Sequence, residues 1–306
     1  NTIIGSLAGD GFDAESDNTF IGYKAGTGSG SAASCVAVGS DSLAGAITQD
    51  GSVAIGYQSL NALTTGAGNV AVGYQSLTSV TVGDDNVAVG KQALYSMNTA
   101  DGNDNNIAIG TSALYTAGGS SNVAMHNIAI GTNALKLNQT GDFNIGIGAN
   151  AGTALTAAGK TIAIGEGALK GVATQDGTIA IGYEALNDLT SGADNIAIGY
   201  GALDATTTAA GNLAIGRDAM GNLNHGNSAK NISIGAYSCD GMGTLDGNAE
   251  NIFIGYSAGS GTWATNPSAR NVCIGNEAMD AALNGANYNV AVGYETLTDM
   301  TGGGTG

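Results

Sequence analysis

Short segments of alternating hydrophobic residues recur along nearly the whole chain. Each segment follows the pattern Asn-(Val/Ile)-Ala-(Val/Ile)-Gly, as in residues 69–73 and 195–199, and the closing Gly falls at 17 positions from Gly5 to Gly293. These glycines are 17 residues apart in two runs of five steps and 18 to 21 residues apart elsewhere. β-Branched residues at alternate positions are typical of a short strand, so each repeat predicts one strand.

A repeat of this size is too small to enclose a core alone, so successive repeats must stack and pair their strands. The sequence therefore predicts an all-β fold, a parallel β-solenoid of 17 turns with repeats of 17 to 21 residues. With about 4.8 Å between strands, such a rod is roughly 75 to 80 Å long. We divide the chain into a single solenoid at 1–301, with regular turns at 1–90 and 131–216, insert-bearing turns at 91–131 and 217–292, and a Gly-rich tail at 302–306.

Two columns of the repeat are predicted to serve the fold. The column of Gly73 and Gly199 suits a corner where φ is positive or where backbones crowd together. Stacked asparagines such as Asn69 and Asn195 are expected to form an amide ladder between turns. After the Gly, small and apolar residues at the third, fourth and seventh positions fit either a helix face or a bent outer strand.

The centre of the strand segment is usually Ala, as at Ala71, Ala88 and Ala180. We expect these residues to form a small, uncharged stripe on the outside of the solenoid. A long apolar stripe on a thin solenoid is an aggregation hazard unless it is covered. Parallel packing of three identical chains along the alanine stripe would cover it, so we predict a homotrimer.

Composition and charge narrow the classes of partner. Eight Lys and Arg against 25 Asp and Glu give a net charge of −17, which repels nucleic acid and anionic lipid. The sequence contains no run of 18 or more apolar residues, so it predicts no membrane span. Because the first residue is Asn1 rather than Met, we expect a processed chain or a piece of a longer one.

We identify no catalytic, metal or cofactor site in the sequence and predict that the protein is not an enzyme. Cys35, Cys239 and Cys273 lack a metal-binding spacing and replace small or apolar residues of the repeat, so we expect buried free thiols. His126 and His225 are 99 residues apart, which is too far to share a metal within one chain. Both histidines are expected in surface loops.

Residues 195–203 add Tyr-x-Ala-Leu to the strand segment. This motif resembles the Asn-x-Ala-Ile-Gly head repeats of trimeric autotransporter adhesins and, more closely, the Asn-Thr-Ala-Ile-Gly-Tyr-x-Ala-Leu arrays of bacteriophage tail fibres. The resemblance covers residues 1–301. It implies a homotrimeric, extracellular fibre on a virion or cell surface, used for adhesion or receptor binding. The repeat is longer here than in the adhesin heads, and nothing after Gly293 resembles the self-cleaving chaperone domain of many tail fibres.

Receptor contacts are expected on the inserts of the second zone, because inserted loops are where binding is usually built. The candidate contacts with a cell-surface saccharide or protein are Trp263, Asn266, Arg270, His225 and Lys230. An exposed Trp stacks on a sugar face while its polar neighbours bind the hydroxyls. The alternative for Trp263 is that it folds inward and fills the interior.

Tyrosine recurs directly after the repeat Gly, for example at Tyr57, Tyr74, Tyr183 and Tyr200. We expect these rings to stack in a partly exposed column at a corner, either for rigidity or as a platform for sugar rings. Two other functions stay open. One is a passive shaft whose adhesive tip lies elsewhere, and the other is a polysaccharide-degrading spike.

Overall fold

A computed structural model describes residues 1–11, 15–28, 30–97, 103–117, 124–223, 227–243, 245–261, 263, 266–281 and 284–298. Within these ranges the chain forms a parallel β-solenoid, as the repeat predicts, in two units that comprise Asn1–Gly159 and Lys160–Gly306. Every repeat contributes one strand of three residues, so the 17 repeats give 17 such strands.

The first unit contains eleven strands, two of which pair outside the main ladder. They are β1 (Thr2–Ile4), β2 (Thr19–Ile21), β3 (Val36–Val38), β4 (Val53–Ile55), β5 (Val70–Val72), β6 (Val87–Val89), β7 (Ser96–Met97), β8 (Ile107–Ile109), β9 (Thr116–Ala117), β10 (Ile128–Ile130) and β11 (Ile145–Ile147). Strands β7 and β9 pair with each other within the first insert zone. The other strands pair in parallel with their neighbours, each residue opposite its equivalent in the next repeat, as Val53 is opposite Val70.

The second unit repeats this arrangement with eight strands and one short 3₁₀ helix. They are β12 (Ile162–Ile164), β13 (Ile179–Ile181), β14 (Ile196–Ile198), β15 (Leu213–Ile215), β16 (Ile232–Ile234), the helix at Asp240–Met242, β17 (Ile252–Ile254), β18 (Val272–Ile274) and β19 (Val290–Val292). The longer repeats of this unit, which have 18 to 20 residues, change the loops and leave the strand register intact, as in the pairing of β15 with β16.

The alanines of the strand segments face the interior, so the prediction that they form an outer stripe for trimer packing is wrong. Ala71, Ala88 and Ala180 have no exposed surface, while the flanking Val and Ile side chains are partly exposed on the outside. The physical reason is the narrow cross-section. Leucines four residues after the repeat Gly, such as Leu77, enter the interior from the opposite side and leave room for a small side chain only.

In two repeats the large side chain comes from the strand and the small residue from the opposite side of the interior. Phe20 and Phe253 replace the strand Ala, and Gly26 and Gly259 replace the Leu on the opposite side. A Cβ atom added to Gly26 would lie 2.7 Å from the Phe20 ring. In these two repeats Phe with Gly takes the place of the Ala with Leu found in most turns, which keeps the total volume of the slot nearly constant.

The corner glycines and the asparagine ladder have the roles predicted for them. Gly73 has φ of 140°, and a Cβ atom there would lie 2.5 Å from the carbonyl oxygen of Gly90, so both positive φ and crowding apply. Asn69 is fully buried; its Oδ1 accepts from the backbone N–H of Asn86 at 3.0 Å, and its Nδ2 donates to the Gly83 carbonyl at 2.6 Å.

In the second unit Asn195 bonds to the next turn in the same way. Its Oδ1 accepts from the Asn212 N–H at 3.0 Å and its Nδ2 donates to the Ala209 carbonyl at 2.8 Å. Gly199, like Gly73, has a positive φ of 142° and abuts the next corner glycine, Gly216. The ladder thus satisfies buried amides that would otherwise destabilise each turn.

The ladder is interrupted where Ser52 and Thr178 stand in the asparagine column, since both hydroxyls are buried without a hydrogen-bond partner. We expect Ser52→Asn to raise the free energy of unfolding by about 1 kcal/mol, because a new Oδ1 could accept from the Asn69 N–H. Urea denaturation measures the change. Ser40→Asn, at a corner outside the ladder, is the control, and an equal gain there would contradict a ladder effect.

The segment after the corner glycine is neither a helix nor a strand in most repeats, so both alternatives offered by its spacing are wrong. It consists of turns in which the second and fourth residues have left-handed φ, as at Gln75 (53°) and Leu77 (50°). The backbone bonds to the next turn instead, for example from the Leu77 N–H to the Ala93 carbonyl at 3.0 Å. The alternating left-handed φ values direct the Leu side chain into the interior without forming a helix or a strand.

The three cysteines are buried free thiols, as predicted. Burial raises the pKa of Cys239 well above its usual value, and burial followed by the charge of Asp280 raises the pKa of Cys273 to about 12. Both groups therefore stay protonated at neutral pH. The Cys273 thiol donates to the Ala278 carbonyl at 2.9 Å inside the solenoid.

Candidate binding surface

The outer side of the strands is an aliphatic face, defined here as the first and third residues of each three-residue strand. Thr2 and Thr19 are its two polar members, and every other position is Val, Ile or Leu, with no charge. Ile55 is 39% exposed and Ile274 is 40% exposed. In a chain with a net charge of −17, this uncharged face stands out as a contact surface.

A second surface consists of stacked tyrosines at the corner next to the aliphatic face. The rings of Tyr57 and Tyr74 stack with centroids 5.4 Å apart, and those of Tyr183 and Tyr200 stack at 5.1 Å. All four are between 40% and 52% exposed. The stacked corner column predicted from the sequence is therefore confirmed for these pairs.

Trp263 is a core residue, so the prediction that it contacts a receptor is wrong and the inward alternative is correct. It is 3% exposed, its Nε1–H donates to the Gly259 carbonyl at 3.0 Å, and its ring meets Phe253 edge-on at 5.6 Å. The turn between Gly255 and Gly275 is lengthened, and the Trp side chain fills the interior beside Phe253. Trp263 thus serves packing at this position.

The remaining candidate contacts lie on the surface, and two of them share a column. Lys230 and Arg270 each precede the ladder asparagine of their turn and are exposed, with Glu250 between them on the intervening turn. Arg270 donates from Nε to Glu250 at 2.9 Å and from Nη1 to the Tyr288 hydroxyl at 2.8 Å. These bonds raise the pKa of Arg270 and hold its guanidinium along the column.

Asn266 is exposed and bonds to Asn284, with both its N–H and its Nδ2 within 3.0 Å of the Asn284 Oδ1. It lies four residues before Arg270, at the end of the loop that carries Trp263. His225 lies outside the residues that the structure describes. The structure thus brings Lys230 and Arg270 to one surface and separates both from the buried Trp263.

Several carboxylates of the second unit lie close together near Gly221. Burial raises the pKa of Asp204, and the charges of Asp218, Asp188 and Asp240 raise it further. Burial and Asp218 also raise the pKa of Asp240, while a hydrogen bond from Asn222 opposes the shift. Among the described residues, no group of three or more His, Cys, Asp or Glu is arranged to hold a metal ion.

Because these folded-state pKa values are raised, the folded chain binds protons more tightly than the unfolded chain. Stability should therefore fall as the pH rises from the unfolded pKa, near 4, through the folded pKa. We expect Asp204→Asn to raise the melting temperature at pH 7 and to have little effect at pH 3. Thermal melts at both pH values check this, with the exposed Asp10→Asn as control. An equal gain at both pH values would count against the ionisation of the buried Asp204 as the cause.

Comparison with known proteins gives no match, whether to a family model, to a curated protein or to a solved structure. Within the described residues, no helix is long and apolar enough to cross a membrane. Function must therefore be argued from the repeat motif and from the surfaces described above.

Proposed function

We propose that the chain is a structural fibre segment from a virion tail or cell surface, a homotrimer that takes part in adhesion or receptor binding. The observation that carries this proposal is the uncharged aliphatic face, which is as regular as the repeat itself. The resemblance of residues 195–203 to tail-fibre and adhesin-head repeats supports the same reading.

The aliphatic face replaces the alanine stripe as the surface along which copies pack. In the first unit nine strands present eighteen outward side chains. Several of these side chains are more than a third exposed, namely Ile4, Ile55, Ile109 and Ile130, so the face offers apolar area for contact with another chain. Val and Ile in register on neighbouring chains interlock without leaving polar groups unsatisfied.

Light scattering coupled to size exclusion tests the assembly. We expect the wild-type protein to have three times the mass of its 29.8 kDa chain. The variant Val70→Glu/Val87→Glu/Ile107→Glu should run as a folded monomer, because each Glu would bury an unpaired charge in the interface.

A control with the same change in charge keeps the test specific. Gln49→Glu/Thr65→Glu/Gln139→Glu adds three carboxylates at exposed loop positions and should leave the trimer intact. A wild-type monomer, or a trimer unaffected by the three substitutions on the aliphatic face, overturns the proposed packing.

A further inference from the structure

Three clusters that we call tyrosine ladders share one arrangement on three consecutive turns. In each, two stacked tyrosines are followed by a cation whose charge lies over the second ring. They are Tyr57, Tyr74 and Lys91; Tyr95, Tyr115 and Lys136; and Tyr183, Tyr200 and Arg217. The cation lies 6.0, 5.9 and 5.3 Å from the ring centroid, respectively.

Most of the few cationic side chains in this protein lie beside tyrosine rings. The chain has eight Lys and Arg in total, and at least five of them lie within 6.0 Å of a tyrosine ring centroid, namely Lys24, Lys91, Lys136, Arg217 and Arg270. In an acidic protein, cations spread for solubility alone would have no reason to follow the tyrosines. Their position beside the rings therefore points to a local role.

The first and third ladders occupy equivalent positions in two similar stretches of the sequence, and these stretches differ in the residues next to the ladders. Tyr57, Tyr74 and Lys91 recur as Tyr183, Tyr200 and Arg217 at a constant offset of 126 residues. The neighbouring column, one residue further along each turn, changes from Gln58, Gln75 and Gln92 to Glu184, Gly201 and Asp218. Both rings and the positive charge are thus kept between the two copies, while the adjacent amides are not.

The ring geometry leaves the outer edge of each tyrosine open. Successive turns are about 4.8 Å apart, and the stacked ring centroids are 5.1 to 5.4 Å apart. Each ring therefore lies beside its neighbour on the next turn, and its outer edge remains accessible. The exposure of Tyr74 (48%) and Tyr200 (52%) agrees with this.

From this geometry we propose that each tyrosine ladder is a subsite for a short glycan that carries a carboxylate. Two pyranose rings lie along the exposed outer edges of the two stacked tyrosines, and the carboxylate of an adjoining acidic sugar pairs with the Lys or Arg. Three turns span about 10 Å, the length of a di- or trisaccharide. In the third ladder the guanidinium also bonds to Asp218 at 3.2 Å, and its five donors allow both contacts.

The inference deepens the proposed adhesive function and rests on it in one respect. A single subsite of this kind is weak, and several copies on one fibre give useful avidity. The net charge of −17 opposes a polyanion but acts little on a single carboxylate at physiological salt, where the Debye length is about 8 Å. A glycan with one acidic sugar beside neutral ones is therefore the ligand class that fits.

Binding to glycans displayed on a surface tests the proposal with the full chain. The probes are sialyllactose, a glucuronate-containing tetrasaccharide and neutral lactose, at equal density. We expect one or both acidic probes to bind at least about tenfold more tightly than lactose, the factor expected for one charge-assisted contact. Binding of sialyllactose would indicate a terminal acidic sugar, and binding of the tetrasaccharide would indicate a uronate.

Two triple variants with the same loss of charge separate the ladders from general electrostatics. Lys91→Gln/Lys136→Gln/Arg217→Gln should abolish the preference for acidic probes. Lys160→Gln/Lys170→Gln/Gln49→Glu, at positions outside both the ladders and the candidate receptor contacts, changes the net charge by the same three units and should keep the preference within about twofold. Circular dichroism checks that both fold. Tyr57→Ala/Tyr183→Ala should weaken binding of acidic and neutral probes alike.

The proposal is overturned if the wild-type protein prefers neither acidic probe to lactose, or if the control triple loses as much preference as the ladder triple. These outcomes are independent of the mass measurement. A trimer that ignores all three glycans refutes the ladders as sugar subsites and leaves the fibre assembly standing. A monomer that binds acidic glycans refutes the fibre assembly and leaves the ladders as sugar subsites.

Discussion

Phe20→Ala is expected to lower the free energy of unfolding by about 3 to 5 kcal/mol, and adding Gly26→Leu is expected to restore most of that loss. Phe20 is fully buried, so the truncation leaves a cavity opposite a glycine that has no side chain to fill it. Leu at position 26 recreates the Ala and Leu pair found in most other turns, such as Ala37 with Leu43.

Gly26→Leu alone should destabilise the protein, because its Cβ would lie 2.7 to 2.8 Å from the Phe20 ring. The backbone itself does not oppose Leu, since Gly26 has φ of 66° and Leu43 in the same column has φ of 50°. A double-mutant cycle by urea denaturation gives the coupling. If the double variant is as unstable as the two single losses added together, the two positions do not share one slot.

Much of the fold was predictable because the repeat states the same local pattern 17 times. Each copy of the strand segment, such as residues 69–73, is short and ambiguous alone, but the constant spacing forces strands to stack in register. Corner glycines and ladder asparagines followed from the same column reasoning, because only a few residue types satisfy a crowded corner or a buried amide.

The orientation of the strand was not predictable from alternation, because a strand with two apolar faces satisfies the pattern either way. The usual rule places the bulkier side inward, and this narrow solenoid does the opposite. A signal for it existed in the sequence. Phe20 and Phe253 occupy the alanine position in the same repeats where Gly26 and Gly259 replace Leu, which indicates that the two positions share space.

The candidate site was less predictable, since loops lack the repetition that made the strands readable. Trp263 occurs once, and composition does not tell whether a lengthened loop turns its aromatic residue inward or outward. The tyrosine ladders were predictable in part, because Tyr57 and Tyr74 occupy the same column of the repeat. Their cations required the three-dimensional arrangement, as Lys136 meets Tyr115 in a different column from that of Lys91 and Tyr74.

Gly73→Ala is expected to be among the most destabilising single substitutions in the first unit, with a loss of about 4 kcal/mol or more. Two costs combine. The φ of 140° is unfavourable for any residue with a Cβ atom, and that atom would lie 2.5 Å from the Gly90 carbonyl oxygen and 2.7 Å from its carbon. Backbone atoms cannot rotate away as a side chain can.

Gly51→Ala separates the two costs, because Gly51 also has a positive φ, of 80°, but has nothing within 4 Å of an added Cβ atom. It should lose only about 1 to 2 kcal/mol. Urea denaturation compares the two variants, and hydrogen exchange locates the damage. Relieving the Gly73 collision requires parting two turns, which would lengthen the bonds between β5 and β6 and between Asn69 and Asn86. We therefore expect faster exchange in β5 and β6 for Gly73→Ala alone, and equal losses in both variants would assign the whole effect to φ.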